Sequence, residues 1–79
     1  MLFLIEYDRS RGGIVSLRTF AKKEATNACT ARLELELELN RKGRDHEVVI
    51  LEAASEDALR RTHRRYFESL SELMRSVMI

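Results

Sequence analysis

The stretch "RRTHRR", residues 60–65, holds the side chains that most resemble a reactive or ligand-binding site. A histidine titrates close to neutral pH and can move a proton or contact a ligand. His63 and Tyr66 are therefore a candidate functional cluster. In this interpretation His63 titrates or contacts a ligand and faces a carboxylate from the sheet, such as Glu6, Asp8 or Glu52. The simpler interpretation is a histidine packed between helix and sheet with one satisfied hydrogen bond.

The arginines of this stretch are candidate nucleic-acid contacts, because guanidinium groups bind phosphate. They are Arg60, Arg61, Arg64 and Arg65. Glu68 and Glu72 follow at helical spacing, which is typical of an ordinary solvated helix face. The formal net charge of +1 also gives the chain as a whole no strong attraction to nucleic acid. Nucleic-acid binding is therefore the alternative function and not the first.

The cysteine and histidine content limits metal and redox chemistry. One cysteine excludes an intrachain disulfide, and with two histidines it falls short of the four ligands of a structural zinc site. Cys29 lies among alanines and is predicted to be a small buried hydrophobic residue. The glycines of "RSRGG" lack the spacing of a phosphate-binding loop and lead into a strand. We predict no metal, no cofactor and no enzyme activity.

The elements that position these residues begin with a β-hairpin. "LFLIEYD" and "IVSLRTF" read as two strands, and "RSRGG" between them suits a connection of about three to five residues. "VVILEA", which starts at Val48, is apolar on both faces, as a strand covered from two sides is.

The run "LELELEL", residues 33–39, alternates like a strand, yet leucine and glutamate both favour helices. It contains no β-branched or aromatic residue and continues a helical sequence without a break. We therefore predict a helix from Ala21 to Gly43, and the strand stays the alternative. Arg32 and Glu36 are spaced to pair on this helix. The predicted apolar stripe is Ala21, Ala25, Ala28, Cys29, Leu35 and Leu39, with Leu33 and Leu37 at one flank.

Ser55 offers the N-cap of a last helix, with Glu56 and Asp57 in its first turn. This helix is predicted to continue to near the C-terminus. Its apolar stripe is Leu59, His63, Tyr66, Phe67, Leu70, Leu73, Met74 and Val77.

The order of these elements predicts one α+β domain over residues 1–79 with the topology ββαβα. We expect a mixed three-stranded sheet with the first strand in the centre and two helices packed on one face. The other face is then open, and its apolar residues form the predicted partner interface: Leu2, Leu4, Ile14, Val48 and Ile50. An open apolar face is usually covered by a partner, most simply a second copy. The leading hypothesis is a non-enzymatic protein-interaction module that homodimerises or docks a partner there.

The longest apolar runs are too short for a membrane span, and no signal-peptide pattern is present, so we expect a cytoplasmic protein. Three stretches, "YDRSRGG", "ARLELELEL" and "EVVILEAASEDALRRTHRRYF", resemble a pattern of small bacterial proteins whose function is uncharacterised. The resemblance implies a bacterial, cytoplasmic protein and no activity. It gives weight to the cluster formed by Thr62, His63, Arg65, Tyr66 and Phe67.

Overall fold

The computed structural model describes residues 1–67 of the chain. The predicted α+β class and ββαβα order are confirmed. A short 3-10 turn, Lys22–Glu24, leads into the first helix. The elements are β1 (Leu2–Asp8), β2 (Gly13–Phe20), α1 (Ala25–Lys42), β3 (His46–Glu52), α2 (Glu56–Thr62) and α3 (Arg64–Phe67).

The three strands are arranged in the order β2-β1-β3, so the prediction that β1 is central is confirmed. Both neighbouring pairs are antiparallel. The sheet is therefore antiparallel rather than mixed, because β2 and β3 run parallel to each other but are separated by β1. In the β1–β2 pair, Glu6 lies opposite Ser16 and Tyr7 opposite Ile14. Val15 is left as the extra residue of a β-bulge.

The helices lie on opposite faces of the sheet, and the prediction that both pack on one face is wrong. Leu4 of β1 packs with Ala28 and Leu39 of α1. Its neighbours Phe3 and Ile5, which point the other way, pack with Leu59 of α2 and Tyr66 of α3. The physical reason is that β1 is apolar on both faces, so each face needs its own cover.

The predicted open sheet face is consequently covered within the described residues. Leu4 and Val48 are buried beneath α1, and Leu2 and Ile50 are partly buried around them. Ile14 lies on the opposite face, with the cluster around Leu59. The five predicted interface residues therefore belong to the two cores of one chain.

The run at residues 33–39 is helical, as predicted. Gly43 ends α1 with a left-handed backbone (φ 67°), and its N–H bonds to the carbonyl of Asn40. Arg32 and Glu36 pair as expected, with 2.7 Å between Nε and Oε1.

The predicted stripe of α1 is wrong in part. Leu39 is buried and Leu35 is half-buried against the sheet, whereas Leu33 and Leu37 are 56% and 60% exposed and Cys29 is also exposed. Two residues along an α-helix turn the side chain by about 200°. Leucines two residues apart, such as Leu35 and Leu37, must therefore face in nearly opposite directions.

The last helix is interrupted at His63. Ser55 caps α2 as predicted, because its Oγ accepts a hydrogen bond from the N–H of Ala58. His63, however, has φ −126° and ψ 53°, outside the helical region, and separates α2 from α3. Thr62 donates its hydroxyl to the carbonyl of Ala58 in the last turn of α2. The predicted continuation lies outside the described residues: Glu68, Leu70, Glu72, Leu73, Met74 and Val77.

Candidate functional site

A histidine and two carboxylates meet at the hairpin end of the sheet, on the face covered by α1. His46 Nδ1 lies 2.6 Å from Glu6 Oε2, and His46 Nε2 lies 3.5 Å from Asp8 Oδ2. The three side chains are only 10% to 12% exposed. Antiparallel pairing explains the contact, because His46 of β3 lies directly opposite Asp8 of β1. His46 was not among the predicted site residues, and the signal that could have found it is "DHE", residues 45–47, placed across from "EYD", residues 6–8.

Asp8 also fixes the hairpin loop. Its Oδ1 accepts hydrogen bonds from the hydroxyl and the N–H of Ser10 and from the N–H of Arg11. The Ser10 hydroxyl is the main cause that holds the pKa of Asp8 below its usual value. The loop amides are therefore satisfied by Asp8 and do not form an anion site.

A second polar cluster lies at the same end of the sheet on the opposite face. The Tyr66 hydroxyl donates a short hydrogen bond to Glu47, and Arg65 Nη2 lies 2.8 Å from Glu47 Oε2. The Arg65 guanidinium carbon lies 4.3 Å from the centre of the Tyr66 ring. Tyr7 meets the Tyr66 ring edge-on at 5.2 Å. Arg9 Nη2 completes the cluster at 3.6 Å from Glu47 Oε1.

The environment of this cluster shifts two pKa values in opposite directions. The hydrogen bond from Tyr66 lowers the pKa of Glu47, since it stabilises the carboxylate. Burial, followed by the proximity of Glu47, raises the pKa of Tyr66. Glu47 is thus held as an anion and Tyr66 as a neutral donor, which suits a positioning contact better than proton transfer.

The structure does not bring His63 to the three strand carboxylates named as its possible partners. Glu6 and Asp8 lie on the α1 face, where they contact His46, and Glu52 lies there too, in an ion pair with Lys22. His63 lies on the other face, 6.5 Å from Tyr66 between ring centres.

The four candidate arginines do not form a uniform basic row. Arg60 pairs with Glu56 at 3.1 Å and stacks on Phe67, and Arg65 is held by Glu47. Arg61 and Arg64 are exposed. Arg60 and Arg65 are therefore engaged in ion pairs within the chain.

A groove between β2 and the helices α2 and α3 is lined by one residue each from the predicted partner interface, the candidate nucleic-acid contacts and the candidate functional cluster. Ile14, Arg60 and Tyr66 contribute to it, together with Leu17 and Phe67. A second groove, between β2 and α1, is lined by Ser16 and Arg18 of β2 and by Glu34 and Glu38 of α1. The outer strand β2 is thus flanked by a mainly apolar groove on one face and a charged groove on the other. We call this surface the β2 margin.

The cluster around His46 does not have the geometry of a serine–histidine pair. The Ser16 hydroxyl donates to Glu6 Oε1 at 3.4 Å, so a carboxylate separates this serine from His46. A serine nucleophile instead needs the histidine itself as its base. Within residues 1–67, no group of three or more His, Cys, Asp or Glu side chains is placed to hold a metal ion. Nor is any helix in that part of the chain long and apolar enough to cross a membrane.

Comparison with protein-family models, with curated proteins and with solved structures found no significant match to this chain. The resemblance to small bacterial proteins therefore stays a prediction.

Proposed function

We propose that this protein is a non-enzymatic, cytoplasmic interaction module that homodimerises through the β2 margin. The observation that carries the proposal is that β2 is one of the two outer strands of the sheet and, within the described residues, pairs with β1 alone. An outer strand has unpaired backbone groups along its free side, which favour the addition of another strand.

The sequence of β2 supports self-pairing. Its eight residues contain one charged side chain, Arg18, and no proline. Natural outer strands are usually protected by several charges or by proline. The bulge at Val15 disturbs the first part of β2, so the regular residues 16–20 are the part suited to pairing.

One antiparallel register is self-complementary. With Leu17 opposite Leu17 of the second copy, Ser16 lies opposite Arg18 and no like charges face each other. The paired leucines extend the apolar groove lined by Ile14 and Phe67. On the other face, Arg18 of the second copy approaches the groove that contains Glu34 and Glu38. Apolar residues thus meet apolar residues on one face of the paired strands, and opposite charges meet on the other face.

The test is size-exclusion chromatography with light scattering on the full chain over a range of concentrations. Ser16→Lys places a lysine opposite Arg18 twice in the dimer, and we expect it to weaken dimerisation about tenfold. Within one chain the new lysine lies beside Glu6, so the fold is retained. The double variant Ser16→Lys/Arg18→Ser removes the repulsion and should restore the dimer. A monomer at every concentration contradicts the proposal, and so does a dimer whose dissociation constant is unchanged by Ser16→Lys.

Nucleic-acid binding through Arg60, Arg61, Arg64 and Arg65 is the second candidate function. It draws on the exposure of these four side chains and is weakened by the pairing of Arg60 and Arg65 with glutamates. Binding to random oligonucleotides that falls steeply with salt would favour it over the interaction module.

A further inference from the structure

The outer side of α1 carries residues that the domain itself does not use. Thr26, Thr30, Leu33, Leu37 and Asn40 are all exposed and follow one another at alternating spacings of four and three residues. This spacing places them in one row along a helix and is the spacing of a coiled-coil seam. We call the row the α1 seam; it contains no charged residue.

The two leucines make this row unusual for a solvated surface. Leu33 and Leu37 are 56% and 60% exposed, although Leu35 and Leu39 of the same run already supply the contacts with the sheet. Leucines at adjacent seam positions are the residues that pack between side chains of a facing helix. Their contribution to the fold of this chain is small. A facing helix would bury the apolar surface that both leucines expose.

Charge decides which partner fits. Glutamates flank the leucines on both sides of the seam, Glu34 on one side and Glu36 on the other. Glu36 is paired with Arg32, whereas Glu34 forms no ion pair within residues 1–67. In an antiparallel second copy with Leu33 beside Leu37, Glu34 faces Glu34 of the other chain and Glu36 faces Glu36, so like charges meet. A second copy is therefore disfavoured, and a helix with basic flanking positions is favoured.

From this arrangement we propose that the α1 seam docks an amphipathic helix with leucine at its seam positions and lysine or arginine at its flanking positions. The inference does not depend on dimerisation through the β2 margin, because the seam lies on the side of α1 that faces away from the sheet.

The test uses two synthetic helical peptides of about three heptads, with leucine at a and d and with either lysine or glutamate at e and g. Fluorescence anisotropy of labelled peptide titrated with the full chain should give at least about tenfold tighter binding of the lysine peptide at low salt, with a smaller difference at high salt.

Variants of the chain assign the site. Leu33→Ala/Leu37→Ala should weaken binding of the lysine peptide at least about tenfold, and circular dichroism should show an intact fold. Val15→Ala, at an exposed apolar residue of β2, is the matched control and should bind as the original chain does. The proposed docking site is overturned if the two peptides bind with equal affinity or do not bind. It is also overturned if the leucine substitutions leave the affinity unchanged.

Discussion

One face of the sheet is covered by α1, a helix of 18 residues. Within residues 1–67, the other face is covered by the seven residues of α2 and by residues Arg64–Phe67 of α3. On the α1 side, Ala28 and Leu39 are buried and Ala31 and Leu35 add partial contacts. On the other side, the described parts of α2 and α3 contribute one buried residue each, Leu59 and Tyr66. Among the described residues, the helix side of the packing is therefore distributed on the α1 face and concentrated on the α2–α3 face. Single substitutions should expose this difference.

The largest effect is expected for Leu59→Ala. Leu59 is fully buried, and its removal leaves a cavity where α2 meets the sheet, at a cost of about 3 to 4 kcal/mol of unfolding free energy. Leu39→Ala should cost about 2 to 3 kcal/mol, because Leu35 and Ala31 remain in place. Urea unfolding followed by circular dichroism measures both. If Leu39→Ala lost more unfolding free energy than Leu59→Ala, packing would not be more concentrated on the α2–α3 face.

The histidines provide the second comparison. His46→Ala leaves the carboxylates of Glu6 and Asp8 largely buried without the ring between them, and we expect a loss of about 2 to 3 kcal/mol. His63→Ala, on the opposite face, removes a half-buried ring near Tyr66 and should cost less than about 1 kcal/mol. The same unfolding measurement tests the pair, and equal losses would contradict a structural role specific to His46.

Tyr66→Phe should have a moderate effect that depends on pH. It removes the hydroxyl that donates to Glu47, at a cost of about 1 kcal/mol near neutral pH. Because the folded chain lowers the pKa of Glu47, this carboxylate contributes stability above its unfolded pKa, and the contribution is lost as pH falls through the folded pKa. The variant should therefore lose less stability on acidification.

Unfolding curves at a series of acidic pH values measure that difference. Tyr7→Phe is the matched control, because Tyr7 contacts the ring of Tyr66 and has no hydrogen bond with Glu47. The interpretation fails if Tyr66→Phe and the original chain lose equal stability between neutral and acidic pH.

The smallest effect is expected within the run "LELELEL". Leu37→Ala should change the unfolding free energy by about 0.5 kcal/mol or less, since its side chain is 60% exposed. Leu35→Ala, two residues earlier, should cost about 1 to 2 kcal/mol because Leu35 packs against the core of the α1 face. A substantial loss for Leu37→Ala would mean that the α1 seam serves the fold rather than a partner.

Several features of the fold could be predicted from the sequence because they depend on neighbouring residues. Gly43 ends α1, Ser55 begins α2, and the glycines after Arg11 close the hairpin. Each follows from the chemistry of one or two turns of chain. The central position of β1 was also predictable, since the hairpin and the length of the connection through α1 restrict the strand order.

The candidate site was harder to predict. His46 and Asp8 are far apart in the chain, and only the register of β3 against β1 places them opposite each other. Ile14, Arg60 and Tyr66 were predicted for three different roles, and the structure places them around one groove. The break at His63 was not predicted either, because the apolar spacing of this segment continues through residue 63 as it would in one helix.

The sequence by itself therefore determined the kinds of element, most of their ends and the ββαβα order, because propensity, capping and period act over a few residues. Tertiary structure alone decided which face each helix covers, which leucines of one run are buried, and which carboxylates meet His46. Those outcomes depend on burying both faces of β1 at once. The exposure of β2 and of the α1 seam follows from that same arrangement.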